Sequence, residues 1–112
     1  MKARIPGAQK GGQQAMLQRL QTMQEEIQKT QDEIEATDFT ASAGGGAVEA
    51  VVTGAKEVRE IKISPEVVDP EDVEMLQDMV IAAVNEALRK ADEAMNKGLE
   101  AAKGDLNIPG LF

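Results

Sequence analysis

A chain of 112 residues with a net charge of −8 has room for one domain with a modest core, not for two. It contains no Cys, His, Trp or Tyr, and its only aromatics are Phe39 and Phe112. That composition removes disulfides, thiolate or imidazole metal sites, and Ser-His or Cys-His nucleophiles. The opening residues lack an apolar run, so no signal peptide or membrane span is expected, and a cytoplasmic location is.

The charge is unevenly spread. Residues 1–24 carry Lys2, Arg4, Lys10 and Arg19 and no acid, so a local +4 stands against −12 over the remainder. A uniformly acidic chain repels phosphates, but a basic arm on an acidic body can approach them alone. The same arm also fits a merely solubilising N-terminus.

Residues 1–12 contain Pro6, Gly7, Gly11 and Gly12 and read as a flexible basic arm. One domain is expected over 13–104. From Gln13 the spacing predicts a helix whose seam runs Met16, Leu20, Met23, Ile27, Thr30, Ile34, Thr37, in steps of four and three. Glu25 and Lys29 are spaced to pair across one turn. Near Asp38 the period shortens to two. Phe39, Ala41 and Ala43 form one alternating run, and Val48, Ala50 and Val52 form a second after Gly44-Gly45-Gly46. A third follows Gly54-Ala55-Lys56, with Ile61 and Ile63 on one face and Glu60 and Lys62 on the other. Val58 is out of phase with those isoleucines, which predicts a bulge or a late strand start. Three short runs joined by glycine turns make an antiparallel meander.

Ser64-Pro65 closes the third strand. Asp69-Pro70-Glu71-Asp72 predicts a helix start with Asp69 as N-cap, and the helix extends to about Lys103, with Gly104 as a stop. Val73, Leu76, Val80, Ala83, Ala87, Ala91 and Ala94 form an apolar row beside Met79, Val84, Leu88, Met95 and Leu99. Glu86–Lys90 and Glu93–Lys97 are spaced as outer ion pairs, and Gly98 is read as a point of fraying or bending. Residues 105–112 form a tail. The fold class is thus α+β, an α-β-β-β-α protomer with two long helices flanking a three-stranded meander. Helices of about 24 and 33 residues, roughly 36 and 50 Å long, outrun strands of about 20 Å. Apolar stripes that continue past the sheet predict a homodimer.

No constellation points to catalysis. The acids at 69–74 are explained by capping and the helix dipole, and they lack the pattern of a calcium loop. The Gly44–Gly46 run is followed by a strand rather than by Lys-Ser/Thr and a helix, so it reads as a hairpin turn and not a phosphate loop. No enzyme, cofactor, metal or small-molecule substrate is expected. No aromatic is interleaved with basic residues, so stacking on single-stranded bases is not expected either.

The stretch Gly45-Gly46-Ala47-Val48, Val52-Thr53-Gly54, Val58 and Ile61-Lys62-Ile63-Ser64-Pro65 resembles the central strands of the YbaB/EbfC nucleoid-associated family. Residues Asp72 to Ala87 resemble that family's second-helix motif, with Gln77 where an acid is common. The Met- and Gln-rich first helix and the closing Pro109-Gly110-Leu111-Phe112 are similar in style. The resemblance implies a tweezer-like homodimer, non-enzymatic binding of DNA and a place in the nucleoid. It supplies no contact residues. Charge alone nominates Lys2, Arg4, Lys10, Arg19 and Lys29 as phosphate contacts, with Arg89 and Lys90 as weaker candidates. The competing expectation is a protein-interaction or chaperone-like module that clasps a protein partner with its projecting helices.

Overall fold

The computed structural model describes residues 4–104, with side chains described for 12–103. The order is α1 (Arg4–Glu35), β1 (Asp38–Ala43), β2 (Val48–Thr53), β3 (Val58–Ile63), a single 3-10 turn at Pro65–Val67, and α2 (Val73–Gly104). The α-β-β-β-α reading of the sequence therefore stands. The radius of gyration is 23.3 Å and the longest dimension 88 Å, against about 13 Å expected for the radius of a compact chain near this length. The helices do outrun the sheet.

α1 starts at Arg4, well before the expected Gln13. Pro6 falls in its first turn, where a missing N–H costs no helical bond. At the other end, Thr37 Oγ1 donates to the Glu33 carbonyl at 2.7 Å and Thr37 N–H to the Ile34 carbonyl at 3.0 Å. These close the last turn and hand the chain to β1.

The sheet has the order β1-β2-β3, antiparallel throughout. The turn after β1 uses Gly44, Gly45 and Gly46, all at positive φ, a region open to glycine without a Cβ penalty. Val51 faces Glu60 while Val52 faces Val58. Arg59 is therefore the extra residue of a β-bulge, which is how Val58 joins the isoleucine face despite its phase. The β2–β3 turn closes with Thr53 N–H on the Glu57 carbonyl and Lys56 N–H on the Thr53 carbonyl, both at 2.9 Å. Lys56 occupies the left-handed position with φ 67°, where glycine is the usual choice.

α2 begins later than expected. Asp72, not Asp69, is its N-cap: Asp72 Oδ1 accepts the Met75 N–H at 3.2 Å. Asp69 instead organises the turn before it, accepting the Glu71 N–H on its side chain at 2.9 Å and the Asp72 N–H on its carbonyl at 3.0 Å. Asp-Pro favoured a turn here, and the helix waited for the next capping aspartate. Ala83, Ala87 and Ala91 are fully buried against Ala41, Val48, Ala50 and Val52. A run of alanines every fourth residue brings α2 close over β1 and β2. Val73 belongs to the same predicted row but is exposed, because the row extends beyond the sheet.

Two glycines seat α1. A Cβ on Gly54 would collide with the Ile34 carbonyl oxygen, and Gly54 N–H donates to the Thr37 carbonyl at 3.0 Å. A Cβ on Gly98 would lie 2.5 Å from Ile34 Cδ1 and 3.0 Å from Thr30 Cγ2. Gly98 is thus a packing notch for α1, not the bend or fray that its low helix propensity suggested, and α2 continues through it to Gly104. Gly54→Ala and Gly98→Val are expected to lower stability by about 1–3 kcal/mol each. Gly12→Ala, with nothing within 4 Å of its Cβ, is expected to raise it by about 0.5–1 kcal/mol. Urea unfolding followed by circular dichroism measures all three.

Candidate nucleic-acid interface

A surface that holds phosphates needs cations not already neutralised by carboxylates. On the acidic body most cations are engaged. Lys56 meets Asp92 at 2.8 Å, Arg59 meets Asp38 at 2.6 Å, Lys62 lies 3.6 Å from Glu49 and Lys97 is 3.1 Å from Glu93. Arg89 is held by Glu86 at 2.6 Å and by Glu93 at 2.9 Å. The expected Glu86–Lys90 pair is absent: Arg89, a residue closer, takes Glu86 with two N–H groups. Lys90 instead donates to the Thr40 carbonyl at 2.9 Å. Arg89 and Lys90, the weaker candidates, are thus both occupied within the protomer.

The first helix is different. Arg19 and Lys29 are exposed on α1, about 15 Å apart along the axis. Neither makes an ion pair within 4.0 Å among the described residues, and Glu25 does not close on Lys29 as its spacing suggested. Arg4 and Lys10 belong to the same helix, with side chains outside the described set, and Lys2 lies outside the described residues. Lys103, in the last turn of α2, is a further exposed cation without an ion pair among the described residues. Sequence reading passed over it, although a cation there also complements the helix dipole.

No group of three or more metal-ligating side chains is assembled among the described residues. Among them, no helix is long and apolar enough to cross a membrane.

The sequence of residues 9–106 matches the model of the YbaB/EbfC DNA-binding family. The chain belongs to the YbaB/EbfC DNA-binding family. It is 50% identical over 110 residues to a nucleoid-associated protein of Clostridium acetobutylicum, covering 98% of both chains. It is 55% identical over 97 residues to a nucleoid-associated protein of Alkaliphilus metalliredigens, covering 87% of this chain and 85% of that one. Among solved structures, an uncharacterised protein of Helicobacter pylori shares the fold, with a TM-score of 0.58 at 24% identity over 70% of this chain and 90% of that one.

The Arg89 fork has a measurable electrostatic signature. Hydrogen bonding from Arg89 lowers the pKa of Glu86 below its ordinary 4.5, and Lys97, then Arg89, lowers that of Glu93. A carboxylate with a lowered folded-state pKa adds stability above its unfolded value, and the contribution disappears as pH falls through the lowered one. Arg89→Ala is expected to move the Glu86 titration midpoint up towards 4.5, with a smaller upward shift at Glu93, read from side-chain carboxyl carbon shifts by NMR.

Proposed function

We propose that the protein acts in the nucleoid as a homodimer that binds double-stranded DNA mainly through phosphates, with little sequence preference. Family membership supports DNA as the ligand. The observation that carries the finer reading is the contrast between most body cations, engaged within the protomer, and Arg19 and Lys29 on the first helix, without an ion pair among the described residues. Lys2, Arg4, Lys10, Arg19 and Lys29 supply the contacts, with Lys103 a further candidate. Fixed charges on a protruding helix neutralise phosphates and release counterions, which makes affinity steeply salt-dependent. Five such contacts per protomer, about ten per dimer, give a log–log salt slope of about −9. Arg19→Ala and Lys29→Ala are each expected to flatten that slope by about 1–2 and to weaken binding equally on unrelated duplexes. Fluorescence anisotropy over a salt series tests this. An unchanged slope in the double variant, or no duplex binding at low salt, overturns the reading.

Dimerisation is supported by what the protomer leaves uncovered. Among the described residues its largest fully buried side chains are Val48 and Val52, a thin core for a chain of this length. Meanwhile Val58, Ile61, Ile63 and Ile81 are exposed. Ile63, Leu76, Gln77, Val80 and Ile81 line an open apolar groove of about 380 Å³ between β3 and α2. α2 covers β1 and β2, and β3 is an edge strand beside it. The Ser64 N–H bonds the Ala47 carbonyl at 2.8 Å, so by ladder alternation Lys62 and Glu60 point their backbone groups at β2 and Ile61 and Ile63 point theirs outward. A second β3 laid antiparallel about Ile61 receives those groups and places Glu60 opposite Lys62 of the partner, twice. Centring the pair on Glu60 or Lys62 would instead oppose like charges.

Glu60→Lys and Lys62→Glu each turn this seam repulsive towards itself but complementary to each other. Each variant alone is expected to shift towards monomer in light scattering at micromolar concentration, and a mixture of the two to form a heterodimer. Unchanged homodimers of both variants would place the interface elsewhere.

A further inference from the structure

Two stretches of the chain carry charge of one sign only, and they lie at opposite ends of the molecule. Residues 1–24 have no acid, whereas residues 63–88 have no base and carry acids from Glu66 to Glu86. Gly98 of α2 lies against Thr30 and Ile34 of α1. From that contact α1 runs back to its start away from the sheet, while α2 runs back to Val73 over the sheet. Each helix has 32 residues, about 48 Å, so a longest dimension of 88 Å requires them to overlap only near this contact. The start of α1 and the start of α2 are therefore the two tips of the molecule.

Both tips expose apolar side chains. On α1, Met23, Ile27, Thr30 and Ile34 are half-buried, but Leu20 is 39% exposed, Met16 52% and Leu17 60%, with Arg19 exposed beside them. At the other tip, an open groove of about 560 Å³ lies between the first turns of α2 and the end of β1. It is lined by Met75, Met79 and Ala82 and by the carboxylates of Asp72, Glu74 and Asp78. None of the three carboxylates makes an ion pair among the described residues. The groove is on the β1 side of α2, whereas the apolar groove beside Ile63 is on the β3 side. Pairing of two β3 strands leaves it open.

We infer that the α1 tip of one molecule docks in this groove on another, with Leu17 over Met75 and Arg19 among the three carboxylates. Charge decides the occupant. Two α1 tips bring together cations with no acid near them, and two grooves bring together carboxylates alone. Tip on groove is the combination that attracts. Met16, Leu17 and Leu20 leave water against the methionines, and Arg19 lays its apolar stem along the same surface while its head reaches the carboxylates. A contact of this size is small, so the association is weak, and its charged part is screened by salt. The two surfaces differ and lie at opposite ends, so the contact is heterologous. Molecules joined through it form open chains end to end instead of a closed pair. The inference rests neither on the DNA reading nor on the β3 pairing. Arg19 is common to this contact and to the proposed DNA surface, so the chains belong to the DNA-free protein.

The absence of native cysteine makes the test direct. The full chain carrying both Leu17→Cys and Met75→Cys, oxidised mildly at low salt without DNA, is expected to give a non-reducing ladder of three and more linked chains, because docking brings the two Cα atoms within bridging range. Linkage that stops at two chains would make the contact a closed one. Either single variant linking to itself as readily would set like tip on like tip. Free thiols would leave both surfaces unjoined. Each of these results overturns the inference. Both positions are exposed, so the substitutions are expected to leave the fold intact. A second measurement needs no cysteine. In sedimentation velocity at low salt, the weight-average mass of the unmodified protein should rise with concentration to at least about twice that of the smallest species. High salt, Arg19→Glu or Asp78→Lys should each hold it at the smallest species. Variants that grow as the unmodified protein does overturn the inference equally well.

Discussion

The close seat of Ile34 between Gly54 and Gly98 is the constraint on which the rest of the molecule depends. A Cβ at Gly54 would strike the Ile34 backbone carbonyl, and one at Gly98 would lie 2.5 Å from Ile34 Cδ1 and force that side chain to shift. One residue near the end of α1 is thereby fixed against both the β2–β3 turn and the second half of α2. Because a helix is stiff over its length, fixing its last two turns sets the direction of the whole of α1. The exposed cations Arg19 and Lys29 therefore project on a rod of defined direction, held away from the acidic body. Two missing methyl groups and the placement of the proposed DNA contacts are links in one chain of cause.

Electrostatics divides the protein along the same line. The body contains acids in excess, and they have taken most of its cations into exposed ion pairs. Such pairs contribute little to stability because solvent screens them. Their larger consequence is for binding: an engaged Arg89 or Arg59 presents a neutral pair to an approaching phosphate, while residues 1–24 contain no acid of their own and Arg19 makes no ion pair among the described residues. Lowering the pKa of Glu86 and Glu93 keeps the Arg89 fork charged on both sides to a lower pH than an ordinary glutamate would.

Much of this was legible in the sequence, and the parts that were not have specific reasons. Alternation of Val48, Ala50 and Val52 and the phase error at Val58 revealed the strands and the bulge, because period and register are local properties. The α2 start was misplaced because Asp69 and Asp72 both satisfy the local capping rule, and only the Met75 N–H distinguishes them. Gly98 was misread because a propensity scale sees a weak helix residue and cannot see Ile34 across the interface. The partner of Lys90 was misassigned for a similar reason: i,i+4 spacing permits a pair with Glu86, but the Thr40 carbonyl, fifty residues away in sequence, competes for Lys90. Family resemblance identified the ligand class, while the residues for contact rested on charge alone.

The two edges of the sheet are not equivalent, and their difference bears on what assembly is possible. Gly54 N–H on the Thr37 carbonyl sets the β1–β2 alternation so that Thr40 turns its carbonyl outward, to the free edge. Lys90 occupies that carbonyl, and a lysine across an edge is a common way to block strand addition. On β3 the outward groups belong to Ile61 and Ile63, with no such cover among the described residues and with Glu60 and Lys62 spaced to complement their own copies. A sheet with two open edges can add strands head to tail without limit, whereas one open, self-complementary edge closes after a single addition. Two protomers joined there would form one six-stranded sheet with both α2 helices on one side. By symmetry, the two α1 rods would then leave it as a pair related by the twofold axis. A duplex gripped by such a pair is contacted at two symmetric sets of phosphates, which favours affinity through geometry and charge over any reading of base sequence.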